Sequence, residues 1–307
     1  MKFLDILILL LLLTLLGGAV YLLWFNMPGK SVEYEDFLLN VNEYVYSEGI
    51  QFYPNMRYRD RAINYGISSN CDAGRKSDAE KAFLFISENT ILSFYNAGDG
   101  NAEIKVLCSD VSPKPEEKGH FVAGEGGPSE IINTTNYAVI LSGKVSLFRR
   151  NDCDKPNVAI HEILHALGFN HEDNQKSIMY PLTKCDQEMS NSIINEINRI
   201  YKTDSLTDLA IEKVSANKTS VYLNFDISIA NLGLKDSDSS KLVVYAGKEI
   251  VKDYELEEIN IGTRKVLTVV NLRIPRDTGS ISFEVTSSEK ELDLTNNNVE
   301  MKLVKVE

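Results

Sequence analysis

The sequence predicts a membrane-length helix, then a mixed α+β domain, then an all-β sandwich. Three observations carry this division. The chain is almost wholly apolar from Phe3 to Phe25. All four cysteines and all four histidines fall between Cys71 and Cys185, where helical and strand-like periodicities alternate. From about Leu206 to Glu307 there is neither cysteine nor histidine, and the chain reads as short alternating strands. At 307 residues the chain exceeds a typical domain of roughly 100 to 200, and its 43% apolar content suffices for two cores. A formal charge of -12 without a basic run argues against a nucleic-acid partner.

At about 1.5 Å per residue, a helix from Phe3 to Phe25 spans a bilayer core, with Asp5 the one charge inside it. Cleavable signal peptides have shorter apolar regions of roughly 7 to 15 residues followed by a small-residue site. Gly17-Gly18-Ala19 offers such a site, but cleavage there leaves Tyr21 to Phe25 as an apolar terminus. An uncleaved anchor instead places Tyr21 and Trp24 at the membrane interface. Residues 1–30 are therefore read as a signal-anchor, with secretion the alternative if it is cleaved. Lys2 precedes the span and Glu33, Glu35 and Asp36 follow it, which places the remainder outside the cell. An even number of cysteines agrees with that oxidising space. Residues 31–54 read as a stalk with a helical turn or two, or as a short segment covering a cleft.

Within residues 55–203, Arg57 to Ile67 alternates like a strand. Ser77 to Asn89 has helical spacing with Ser77 as its cap, and Ile104 to Cys108 reads as another strand. Pro113, Pro115, Gly119 and the run Gly124 to Pro128 mark a long irregular connection. His120 and Glu125 fall in it and are read as solvated or structural. Tyr137 to Leu147 is strand-like, and Gln187 to Tyr201 is helical, with Ile193, Ile194, Ile197 and Ile200 on one face.

The chemistry concentrates in His161-Glu162-Ile163-Leu164-His165-Ala166-Leu167-Gly168-Phe169-Asn170-His171, followed by Met179-Tyr180-Pro181. Histidines four apart on a helix share a face, so His161 and His165 can offer two imidazole nitrogens to one tetrahedral ion. Glu162 lies beside such an ion, where its carboxylate can take a proton from a water acidified by the metal. Gly168 can adopt the left-handed conformation that ends a helix, returning His171 as a third ligand and leaving a fourth position open. One histidine alone is usually a satisfied core or surface residue. Here three of the four in the chain fall in register with Glu, Gly and Met, which chance does not supply.

This segment resembles the metzincin clan of zinc endopeptidases, and within it the matrixin branch, whose turn after the histidines also reads Met-Tyr-Pro. The resemblance extends upstream through Asp78 to Phe83, Ser87 to Thr90, Leu92 to Phe94 and Ala102 to Val106, covering roughly residues 55 to 183. It implies one catalytic Zn2+ held by His161, His165 and His171, Glu162 as general base, and Met179 as an apolar floor under the metal. Gly168, Tyr180 and Pro181 lend structural support, and the implied substrate is an extended polypeptide paired to an edge strand. The chain departs from the family in two respects. The second, structural zinc site of matrixins needs further histidines, and the one spare is His120; nor does a cysteine-switch sequence precede the domain.

Cysteine pairing stays open at this level. A bridge between Cys153 and Cys185 would clamp the metal helix to the turn behind it and leave Cys71 with Cys108, while free buried thiols remain an alternative. Two glycosylation sequons occur, at Asn133 and Asn217.

The C-terminal strands are expected at Leu209 to Val214, Val221 to Ile229, Leu242 to Tyr245, Val266 to Ile274, Ile281 to Val285 and Val299 to Val306, in an immunoglobulin-like sandwich. Asn231-Leu232-Gly233 and the closing Leu294-Thr295-Asn296-Asn297-Asn298 resemble CARDB modules of bacterial and archaeal surface proteins. That resemblance implies cell-surface or substrate docking, with a plain spacer as the alternative. The acidic pair Asp236 and Asp238 has no surrounding oxygen-ligand loop to support calcium. The expectation is a membrane-anchored zinc endopeptidase; the alternative is a surface adhesion protein whose zinc site is not proteolytic.

Overall fold

The computed structural model describes residues 3–26, 31–39, 49–98, 100–114, 121–150 and 153–302. The first helix, α1 (Phe3–Asn26), contains the window Ile6–Leu23, long and apolar enough to cross a membrane, with none of its residues buried. Its apolar side chains ring every face, which suits lipid and not a one-sided core.

Residues 31–39 correct the expected helical stalk. They form β1 (Ser31–Glu33) and β2 (Phe37–Leu38), and both pair antiparallel with the strand Leu209–Thr219 of the C-terminal module. Tyr34 between them is buried, and its N–H donates to Ala216 O. Apolar side chains at Tyr34 and Phe37 join the sandwich core, so this short segment has something to bury, which a solvated stalk lacks.

The α+β domain follows as β3 (Met56–Tyr58), β4 (Ala62–Ile67), α2 (Ala73–Asn89), β5 (Ser93–Asn96), β6 (Ile104–Cys108), β7 (Gly124–Asn133), β8 (Ala138–Leu147), α3 (Asn157–Ala166) and α4 (Asn191–Ile200). The expected strand Arg57 to Ile67 is thus two strands. Helix α2 begins earlier than Ser77 because Asp72 caps it, accepting from the N–H groups of Gly74 and Arg75. The run Gly124 to Pro128, expected in an irregular connection, is the start of β7. In the sheet, β3, β4, β5, β6 and β8 run parallel, while β7 pairs antiparallel with the free side of β8. Among the described residues β7 has no partner on its other side, and so forms an edge. Phe83 and Ile86 of α2, Ile160, Ile163 and Leu164 of α3, and Ile63, Ile104 and Ile140 of the sheet share one core.

Both disulfides form: Cys71–Cys108 joins the entry of α2 to β6, and Cys153–Cys185 joins the approach to α3 to the loop before α4.

The C-terminal module comprises β9 (Leu209–Thr219), β10 (Tyr222–Asn231), β11 (Ser240–Ala246), β12 (Glu249–Leu256), β13 (Arg264–Arg273), β14 (Ser280–Ser287) and β15 (Asn298–Lys302). One sheet runs β1-β9-β10-β13 with β2 also on β9; the other runs β12-β11-β14-β15. The sandwich is as expected except for β12, whose mostly exposed side chains give no apolar alternation. The expected end of the last strand, beyond Lys302, lies outside the described residues.

The two folded parts meet across a small dry interface. Val139, Leu234 and Ile261 are buried together, with Ile132, Tyr137, Leu141 and Leu292 against them. Arg59 pairs with Asp236 at 3.2 Å, and Asn136 Nδ2 donates to Asp208. Asp236 thereby serves an ion pair with Arg59 and accepts from the N–H of Ile261. Along β8, Ala138 and Ile140 belong to the helix-side core while Val139 belongs to the interface, so the sandwich covers the sheet face opposite α3.

Candidate metal centre

Every residue of α3 is buried. The helix ends at Gly168, whose φ of 95° is the left-handed region that glycine adopts without penalty. Phe169 N–H donates to Leu164 O and Gly168 N–H to His165 O, the paired bonds of a Schellman terminus. A side chain at 168 would also meet Met56, with a Cβ only 2.7 Å from its Sδ. The chain then turns back and brings His171 to the two helix histidines.

The three Nε2 atoms lie 3.0 Å (His161 and His165), 3.2 Å (His165 and His171) and 3.3 Å (His161 and His171) apart. Nitrogens bound tetrahedrally at about 2.0–2.1 Å from zinc sit roughly 3.3 Å from one another, so the spacing fits one such ion. The tautomers fit as well. His161 Nδ1 is 2.6 Å from Ile178 O and His165 Nδ1 is 2.7 Å from Phe169 O. A carbonyl only accepts, so each Nδ1 carries the proton and each Nε2 turns its lone pair inward. Burial, reinforced by the neighbouring imidazoles, lowers the pKa of His161 to about 3 and of His165 to about 4, and burial lowers that of His171. These rings are neutral donors at physiological pH. The His161, His165 and His171 cluster can therefore hold a metal ion.

Glu162 is buried against β7. A Cβ on Gly124 would lie 2.6 Å from Glu162 Cγ, and one on Gly126 would lie 2.0 Å from Glu162 O. The glycines let the strand and the metal helix touch, a role hidden in sequence because the same residues signal turns. Burial raises the Glu162 carboxyl to about 8, and the charge of Glu125 adds to the effect.

Other supports were not legible from the motif. Asn170 N–H donates to Ile50 O, Phe52 N–H donates to Gly168 O, and the Phe52 ring stacks on His165 at 5.8 Å. Glu172 follows the third histidine; its N–H donates to Met179 O, and its carboxylate accepts from Ser177, Ser190 and Ser192 hydroxyls. It thus ties His171 to the turn at Met179 and to the cap of α4. Asn157 Nδ2 donates to Lys184 O and Gln187 Nε2 to Leu182 O, fastening the loop that Cys153–Cys185 also holds. Met179 is fully buried in the core and Tyr180 is half-buried. His120 lies outside the described residues.

Residues 57–202 match the family model of the matrixin peptidases. Macrophage metalloelastase of Rattus norvegicus is 29% identical over 140 residues, 41% of this chain; the match spans 28% of that protein's length. Two solved structures of a Pyrococcus furiosus CARDB domain are also similar. One, in complex with di-metal ions, has 20% identity and a TM-score of 0.26, over 32% of this chain and 87% of its own. The other, in solution, has 23% identity and a TM-score of 0.28, over 32% of this chain and 94% of its own. The metal-helix geometry and the family match agree: this chain carries a matrixin-like domain.

Proposed function

We propose that the chain is a membrane-anchored, outward-facing zinc endopeptidase. The observation that carries this reading is the convergence of three neutral Nε2 donors beside a buried carboxyl, next to an edge strand with a free side. Zinc held by His161, His165 and His171 would supply Lewis-acid polarisation of the scissile carbonyl and acidification of water. Glu162 takes the proton of the attacking water on its carboxylate and delivers it to the leaving amine. Burial favours the protonated form of this carboxyl, which strengthens it as the acceptor of that proton. The free side of β7 can receive an extended polypeptide through backbone hydrogen bonds. Helix α1 supports anchoring, and the two disulfides support an oxidising exterior. The sandwich presents the peptidase at the cell surface.

The test is peptide-library cleavage by the full chain in detergent with zinc, beside Glu162→Gln. Cleavage should fall by about 10²–10⁴-fold in the variant while metal stoichiometry is kept. Undiminished cleavage by the variant would remove Glu162 from the chemistry.

A further inference from the structure

We propose that the sandwich, last in sequence, is the stalk of the molecule in space, and that it confines cleavage to bonds held well above the bilayer. The inference rests on the anchored-peptidase reading and adds a substrate class to it. Helix α1 ends at Asn26 and β1 begins at Ser31, so the link between them reaches no farther than roughly 18 Å at about 3.5 Å per residue. Ser31 pairs with Thr219, Thr219 with Tyr222, and Tyr222 with Arg273, so the chain joins the sandwich at the end where β9 turns into β10. From there it climbs the outer side of β9. Glu33 lies opposite Asn217, Phe37 opposite Val214, and Leu39 N–H donates to Glu212 O.

The α+β domain sits at the other end. Asp208, Leu234, Asp236, Ile261 and Leu292, which meet it, all flank the starts or ends of strands at the Leu209 and Asn231 side of the module. Strand β10 runs between the two ends, and its ten residues cover about 30 Å at roughly 3.3 Å each. Helix α3 lies beyond, on the sheet face turned away from the sandwich. A polypeptide rooted in the same membrane must therefore extend by about ten residues before it reaches β7. The substrate class is soluble polypeptides and distal segments of neighbouring ectodomains, with bonds next to the membrane spared.

The full chain in phosphatidylcholine vesicles would be given one cleavable sequence, either free in solution or tethered to the bilayer through flexible spacers from about 5 to about 40 residues. The free and long-tethered substrates should be cut, and the shortest tether at least about tenfold more slowly. Equal rates at all spacers overturn the stalk. Failure to cut even the free peptide would instead overturn the peptidase reading. The height is then still readable by energy transfer to headgroup acceptors, from a donor at Glu88→Cys on α2 or at Lys248→Cys at the opposite end of the sandwich. Transfer should be strong from position 248 and weak from 88; equal transfer overturns the proposal on its own.

Discussion

Arg57 is fully buried, and among the described residues no carboxylate accepts a hydrogen bond from it. Its guanidinium donates to the carbonyls of Tyr58, Arg59, Ile200 and Thr203 and lies over the Tyr201 ring at 4.5 Å. The charge sits where α4 exposes its last carbonyls and the helix dipole is negative, so the fork both caps and neutralises that end. Arg57→Met strands several buried acceptors, and a loss of about 2–4 kcal/mol in urea unfolding is expected, with zinc affinity unchanged. A variant as stable as the parent would show that water replaces the fork. Glu291 makes the opposite kind of prediction. Burial raises its carboxyl, and the charges of Asp208 and Glu289 add to the effect. The folded chain thus binds this proton more tightly than the unfolded one. The resulting stability is complete below the unfolded pKa and is lost as pH rises through the folded pKa. Glu291→Gln removes that dependence, so its stability relative to the parent should improve between pH 4 and pH 7 in guanidinium unfolding. A difference that shrinks over that range would contradict the assignment. Neither role was legible in the sequence, because the partners of Arg57 lie far along the chain and a lone glutamate carries no motif. His161, His165, His171 and Glu162 were legible because their geometry is set within one helix and one turn.

At the scale of elements, β7 packs directly against the helix that carries His161 and Glu162 and is the element least visible in the sequence. Gly124, Gly126 and Gly127 carry no apolar alternation, and glycine punctuates loops more often than it starts strands. The meaning of Gly124 and Gly126 depends on α3, some forty residues on, against which only a bare backbone fits, whereas Gly127 faces open space. Gly126→Val pushes β7 away from Glu162 and should raise the KM for an extended peptide more than it lowers kcat, since the free edge is the proposed substrate-binding strand. A variant with unchanged KM would detach β7 from substrate binding. The same dependence on distant partners explains the other departures. Asp72 displaces Ser77 as the cap of α2 because it also pairs with Arg75, which reaches on to Asp110. Residues 31–39 become strands because β9 offers an unpaired side. By contrast α4 is readable from the spacing of Ile193, Ile197 and Ile200, each of which enters the core with Ile194 partly buried beside them, although Ser190 caps the helix so that it starts at Asn191 and not at Gln187.

At the scale of the whole molecule, the question is whether metal binding in one part stabilises the other. The interface is small, but its centre is dry: Val139, Leu234 and Ile261 have at most 1% exposure. Gly262 approaches Ile132 so closely that a Cβ there would lie 2.4 Å from Ile132 Cγ2, and the Arg59–Asp236 pair closes the rim. Ligand binding to the folded state stabilises whatever unfolds together with the site. Chelating zinc should therefore lower a single thermal transition shared by both parts in the parent chain. Leu234→Ala removes the central plug at a cost of about 2–5 kcal/mol, felt at the junction between the parts. Calorimetry of that variant should resolve two transitions, of which only one moves when zinc is withdrawn. If the variant keeps one transition with the full zinc response, the coupling runs through the polar rim and the linker at Ser205 to Asp208, and the apolar plug contributes packing alone.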